Sequence, residues 1–258
     1  MKESLQQSFI IEEECRKAAS EHGFRRAIDN KGGWYRYGST TAKGTIYLGA
    51  AEEAGPWFLA LDHAGAVHEL NEETANIPGP GIARYAFAEI GDLYPVLLRV
   101  YTLACTLPDA PLEEFQAQTR HLPGATEAER LRVERIGQDI FRGSLMTYWQ
   151  ERCPLTGIGD RALLRASHIS PWSECPDDAE RLNVHNGLLL SALWDAAFDK
   201  GLVTYDDNGR PEISSALTEV ARSHLLAAGA NLIPLTDNHR ERLSWHRENL
   251  FNKVELRA

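Results

Sequence analysis

Cysteine is scarce in this chain. Its 258 residues hold only Cys15, Cys105, Cys153 and Cys175, scattered along the length. That spacing argues against a disulfide framework and fits a reducing cytoplasm. There is no Cys-x-x-Cys pair either. Thr156 stands where a partner for Cys153 would fall, and Cys175 is isolated, so no structural zinc is expected. No apolar run approaches the roughly 20 residues that cross a bilayer, so no membrane partner is expected. The opening MKESLQQSFIIEEECRK is polar and acidic, unlike a signal peptide. Internal repeats and low-complexity tracts are absent. Lysine nearly disappears after residue 118, where only Lys200 and Lys253 occur among 17 basic residues.

What is present is an acidic chain of net charge -10. That charge excludes a protein that coats nucleic acid by bulk attraction. The charge is uneven. Residues 1–118 carry 10 Lys and Arg against 17 Asp and Glu, whereas residues 119–258 carry 17 against 20. Eight arginines fall within residues 119–165. Arginine suits bidentate contact with phosphate, although solvated helix faces explain such residues equally well.

The length is comfortable for two domains. Residues 7–23 read as an amphipathic helix ending at a His22-Gly23 cap. Three β-rich runs follow, at 34–40, 44–50 and 57–62, with a fourth short run at 67–70, as in an antiparallel meander. Asn76 to Gly81 is a breaker, and 92–107 is an apolar helix candidate. Pro108, Pro111, Pro123 and Gly124 place a boundary within 108–125, giving domains 1–118 and 119–258. Thr126-Glu127-Ala128-Glu129 is a capping-box pattern that opens a helix to about Gln150. A strand at 202–205, a turn at 207–209 and helices at 217–228 and 238–251 complete the chain. Trp34, Tyr35, Tyr37, Tyr47, Trp57 and Phe58 suggest strand-alternating core, with a base-stacking platform as the alternative.

The densest chemistry lies between Cys153 and Asp206. Ala166-Ser167-His168-Ile169 ends one apolar run, and Asn186-Gly187-Leu188-Leu189-Leu190 opens a second. Ser191 to Asp199 then reads as a helix with Asp195 and Asp199 on one face. A histidine can activate water, and a helix can hold one hard cation against a phosphate.

This segment resembles the HNH endonucleases, the ββα-metal or His-Me finger nucleases, in the branch reading RASHI-PW then NGLLLSALWDAAFD-G. The resemblance is dense over residues 152–207 and does not reach the first hundred residues. It implies a C-terminal ββα-metal domain with flanking helices, which together with the N-terminal mixed domain and its small antiparallel sheet, read from the β-rich runs, gives an α+β fold. It implies cleavage of DNA phosphodiester bonds with Mg²⁺, Mn²⁺ serving as an alternative, in a setting of restriction or defence. His168 would be the base, Asn186 would orient it or close the loop, and Arg165 would clamp the phosphate. Asp195 and Asp199, with His168, form the expected metal set. The pattern departs from the family in two places. No histidine stands on the helix, and Ser167 stands where some relatives carry a metal-binding aspartate. A catalytically silent DNA-binding or sensor scaffold is therefore the rival reading. His185 is expected to be peripheral. Arg181 either clamps phosphate or pairs with Asp160, Asp177 or Asp178. Trp172 reads as core, and Trp245-His246-Arg247 as packing against the finger. A homodimer is compatible with all of this.

Overall fold

A computed structural model describes residues 5–122 and 126–256. Pro123 and Gly124, part of the expected boundary, lie outside the described residues. The chain divides into two compact units, 1–110 and 111–258.

In the first unit, α1 (Phe9–Glu21) starts where the Ser8 hydroxyl accepts from the Ile11 amide. It buries Ile11, Cys15, Ala18 and Ala19, a stripe at helical spacing. The sheet is an antiparallel meander of β1 (Arg26–Lys31), β2 (Trp34–Gly38), β3 (Thr45–Ala50), β4 (Trp57–Leu61) and β5 (Ala83–Phe87), in that order. β1 and β5 escape a sequence reading. RAIDNK is exposed throughout and lacks alternation, and β5 is five residues behind a Pro/Gly segment. The run at 67–70 is not a strand but the end of α2 (Ala64–Leu70). His63 caps it by accepting from the Ala66 amide, and Ala66 and Leu70 are buried one turn apart. Four residues are too few to separate a period of two from one of 3.6. α3 (Ile90–Thr106) lays Leu93, Leu97 and Val100 in the core. Trp34, Tyr35, Tyr37, Trp57 and Phe58 are all buried. Trp34 and Phe58 pack with Ala60 under Leu5, Tyr47 and Ile77, so these aromatics are packing rather than an open platform.

The stretch expected to be a broken linker is largely helical: α4 (Asp109–Thr119) runs through it and buries Pro111 and Phe115. Pro111 sits in its first turn, where a missing N–H costs nothing.

In the second unit, α5 (Glu127–Tyr148) begins with the reciprocal capping box of Thr126 and Glu129. β6 (Leu164–His168) pairs antiparallel with β7 (Gly187–Ser191), His168 opposite Gly187. The short α6 (Asp178–Arg181) lies in the connection. α7 (Ala192–Asp199) follows β7 directly, completing a ββα unit. β8 (Val203–Tyr205) and β9 (Pro211–Ile213) form a second hairpin. α8 (Glu219–Ala227) and α9 (Asp237–His246) follow, and α9 continues through a π-helical stretch, Arg247–Phe251, into α10 (Asn252–Glu255). The architecture is α+β with a ββα unit in its C-terminal half. Among the described residues no single helix is long and apolar enough to cross a membrane.

Candidate active site

Gly187 decides how the hairpin meets α5. A Cβ there would lie 2.5 Å from Phe141 and 2.7 Å from Leu145, so only glycine lets this helix approach. The approach brings the Phe141 ring onto the His168 imidazole, stacked at 3.8 Å and 16°. Trp172 meets the same imidazole edge-on at 5.6 Å. Trp172 is only half-buried and lines the site, rather than lying in the core.

His168 Nε2 lies 2.9 Å from the carbonyl oxygen of Arg181. A carbonyl can only accept, so Nε2 carries the proton and Nδ1 the lone pair. Burial pushes the His168 pKa below its ordinary value, against the opposing pull of that carbonyl and of Asp199 and Glu180. The ring is therefore neutral at neutral pH.

The Arg181 guanidinium is committed to the loop that carries its carbonyl. Nε donates to Trp172 O at 3.3 Å, Nη2 to Cys175 O at 3.2 Å, and Nη1 to Asp178 at 2.8 Å. Of the two roles expected for Arg181, the structure shows pairing with Asp178. Glu180, its neighbour, forms a two-pronged pair with Arg242 of α9 at 2.6 and 2.7 Å.

Asn186 does not touch the imidazole. Its Oδ1 accepts from the Ser170 amide at 2.8 Å, and its Nδ2 donates to Ser170 O at 3.2 Å. A fully buried amide must find such partners, and here they close the loop after His168. Of the two alternatives for this residue, the geometry gives backbone closure. His185 is buried against Tyr148 and His239, facing their ring edges at 6.0 and 5.2 Å.

Asp195 and Asp199 come off α7 one turn apart, and both face one cavity of about 490 Å³ with His168 and Arg165. Ser167 donates a short hydrogen bond to Asp195 Oδ1. Burial raises the Asp195 pKa, the Ser167 bond opposes this, and the Asp199 charge adds to it. Among the described residues no three His, Cys, Asp or Glu side chains cluster as a metal cage. The pair still suits a hard cation that keeps most of its waters, because a second positive charge would relieve the crowding of two carboxylates.

Three contributors to the site were not legible in sequence. Arg142 of α5 lines the cavity and donates to Leu164 O and Arg161 O, both at 3.0 Å. Phe141 supports the imidazole. Their only sequence signal is the helical spacing of Gln138, Phe141 and Arg142, all lining the cavity. His246 is the third. It is fully buried, stacked on Phe198 at 4.0 Å, with Nε2 donating to Phe198 O at 3.1 Å and Nδ1 3.0 Å from the Thr204 hydroxyl. It thus holds the end of α7 beside Asp199, which refines the expected packing of the 245–247 segment. Burial pushes its pKa down to about 4.

Residues 153–205 match the family model for HNH endonuclease. No curated protein matches the chain. The matched segment holds the hairpin, the loop and α7. It excludes α5 and α9, so Phe141, Arg142, Arg242 and His246 are additions from outside it.

Proposed function

We propose that the HNH-type segment at 153–205 and the helices around it hydrolyse DNA phosphodiester bonds with the help of one divalent cation, Mg²⁺ or Mn²⁺. The observation that carries this reading is the tautomer of His168. With Nε2–H held by the Arg181 carbonyl, Nδ1 is left as a neutral base at a cavity lined by two carboxylates and two arginines. Nδ1 takes a proton from the attacking water, and the Arg181 carbonyl stabilises the imidazolium that forms. Phe141 and Trp172 fix the ring plane, so the base needs no reorientation. Asp195 and Asp199 would hold the cation, which supplies Lewis-acid stabilisation of the charge developing on phosphate oxygens. Arg165, fixed by donation to Ala162 O and Leu164 O, keeps further N–H groups at the same cavity for contact with the DNA backbone. A role in restriction or defence within the cytoplasm fits this activity.

The test is supercoiled plasmid incubated with Mg²⁺ or Mn²⁺. His168→Ala should lose at least a hundredfold in nicking rate while keeping its melting temperature within a few degrees. Wild-type-like nicking by that variant removes His168 as the base. A second reading, a silent DNA-binding scaffold, has one observation behind it: Ser167 already occupies one Asp195 oxygen. DNA binding without nicking by the wild type under either metal would favour it.

A further inference from the structure

Two guanidinium groups converge on one carbonyl oxygen beside the catalytic histidine. Arg142 Nη1 and Arg165 Nη1 each donate to Leu164 O at 3.0 Å. Their other bonds go to the neutral carbonyls of Arg161 and Ala162. Among the described residues neither forms an ion pair. Both line the cavity that holds His168, Asp195 and Asp199. Two like charges drawn to a single oxygen repel each other; the Arg165 charge is partly offset by Asp195 across the cavity, and the carbonyl dipoles do not neutralise the rest. The shared oxygen orients the two forks, and each retains N–H groups that it does not use. An oxyanion bound by both would remove the repulsion and complete their hydrogen bonding. Arg165 is exposed and Arg142 half-buried, so a strand lying across the cavity can reach both.

We infer that Arg142 and Arg165 form a two-arginine cradle for one backbone phosphate of the bound DNA strand, distinct from the phosphate that the cation would hold. This rests on the nuclease reading for the identity of the strand. It adds a contact from α5, which lies outside the segment matched to the family. The cradle makes α5 part of the substrate track and gives the site a way to fix strand register through the backbone alone, without reading bases.

The experiment uses the full chain and a short duplex containing the mapped cleavage position. Binding is measured in Ca²⁺ at several salt concentrations, and cleavage in Mg²⁺. Arg142→Gln should reduce the slope of log K against log salt by about one. Arg142→Lys should keep the slope, because it keeps the charge. In parallel, single neutral methylphosphonate linkages are walked along each strand. For the wild type, one position outside the scissile linkage should slow cleavage at least tenfold, and Arg142→Gln should be insensitive at that same position. If Arg142 only holds the Arg161 and Leu164 carbonyls, Arg142→Gln slows every substrate equally and leaves the position-specific loss in place. That result overturns the cradle. An unchanged salt slope overturns it too. Should Arg142→Gln fail to fold, Arg165→Gln, an exposed position, carries the same two readouts. A reduced slope in a protein that never cleaves DNA leaves the cradle standing and removes the nuclease reading. Wild-type binding to inorganic phosphate with none to duplex overturns both.

Discussion

The two units of this chain solve burial in different ways. In the first, the buried polar residues among the described ones are two threonines of one helix, Thr102 and Thr106, beside the covered carboxylate of Glu69 that pairs with Arg99. In the second they are Ser167, His185, Asn186, Ser191, Thr204, Ser214, His239 and His246. The first unit is a five-stranded ladder whose backbone groups satisfy each other and whose side chains fill a core. The second has only two-stranded hairpins, and its irregular loops are held by side-chain-to-backbone bonds: Asn186 to Ser170, Arg181 to Trp172 and Cys175, Arg142 to Leu164. Buried polar groups are costly unless paired, and a fully paired network fixes one geometry. The unit that carries the candidate site relies on such pairing, although Trp149 Nε1 and the Tyr205 hydroxyl are buried in it with no hydrogen-bond partner among the described residues.

The comparison can be broken by measuring what each unit is sensitive to. The largest effect is expected in the first unit from a cavity: Leu59→Ala, at a fully buried β4 position, should cost about 3 kcal/mol. A urea midpoint shift with unchanged slope would read it, and a loss below about 1 kcal/mol would deny that this sheet rests on its packed face.

The second unit should instead respond to acid. His246 has its folded pKa depressed to about 4 from an ordinary 6.5, because burial disfavours the charged ring. The unfolded chain therefore takes up the proton first. Stability is full above pH 6.5 and falls as the pH drops towards 4, by up to about 3 kcal/mol in total. Urea titrations at pH 7.5, 6, 5 and 4 should show this fall, and His246→Gln should flatten it. A pH-independent midpoint in the wild type over that window would contradict the burial of a neutral ring.

Asn186→Ala should cost about 2 kcal/mol, because the Ser170 amide and carbonyl both lose their partner. It should also slow any nicking, since the loop after His168 would loosen. The matching change in the first unit, Thr106→Val, should cost under about 1 kcal/mol. Its hydroxyl donates only to the Thr102 carbonyl within the same helix. Equal losses from these two substitutions would erase the contrast between the units.

Much of this was legible in the sequence because the signals were local. The capping box at Thr126, the apolar stripe of α3 and the central strands follow from residues a few places apart, and the His168–Asn186–Asp195 set from one contiguous motif segment. What escaped depends on distant partners. β1 has no hydrophobic alternation and exists because β2 offers it an edge to pair with. The helix at 64–70 was read as a strand because four residues do not fix a period. α4 hid behind Pro111, a breaker only when it is not in a first turn. Arg142 and His246 belong to the site through contacts 22 and 42 to 48 residues apart in sequence; no motif marks Arg142, and the 245–247 segment pointed to packing on the finger without naming the Phe198 and Thr204 partners. Asn186 could be placed by its motif, but its partner could not, because whether a buried amide faces a ring or a backbone is a question of packing.

The brace from α9 has a consequence for the order in which this molecule is made. Arg242 grips Glu180 across 62 residues, and His246 holds the Phe198 carbonyl across 48. At about 5–20 residues per second, translation delivers those braces several seconds after the hairpin and α7 have been synthesised. During that interval the carbonyl that sets the histidine tautomer and the helix that carries the aspartates lack their supports. The geometry of the candidate site is thus completed late, after the chain has moved well past the hairpin and α7. A newly made copy has for that time the residues of the candidate site and not yet the braces that shape it.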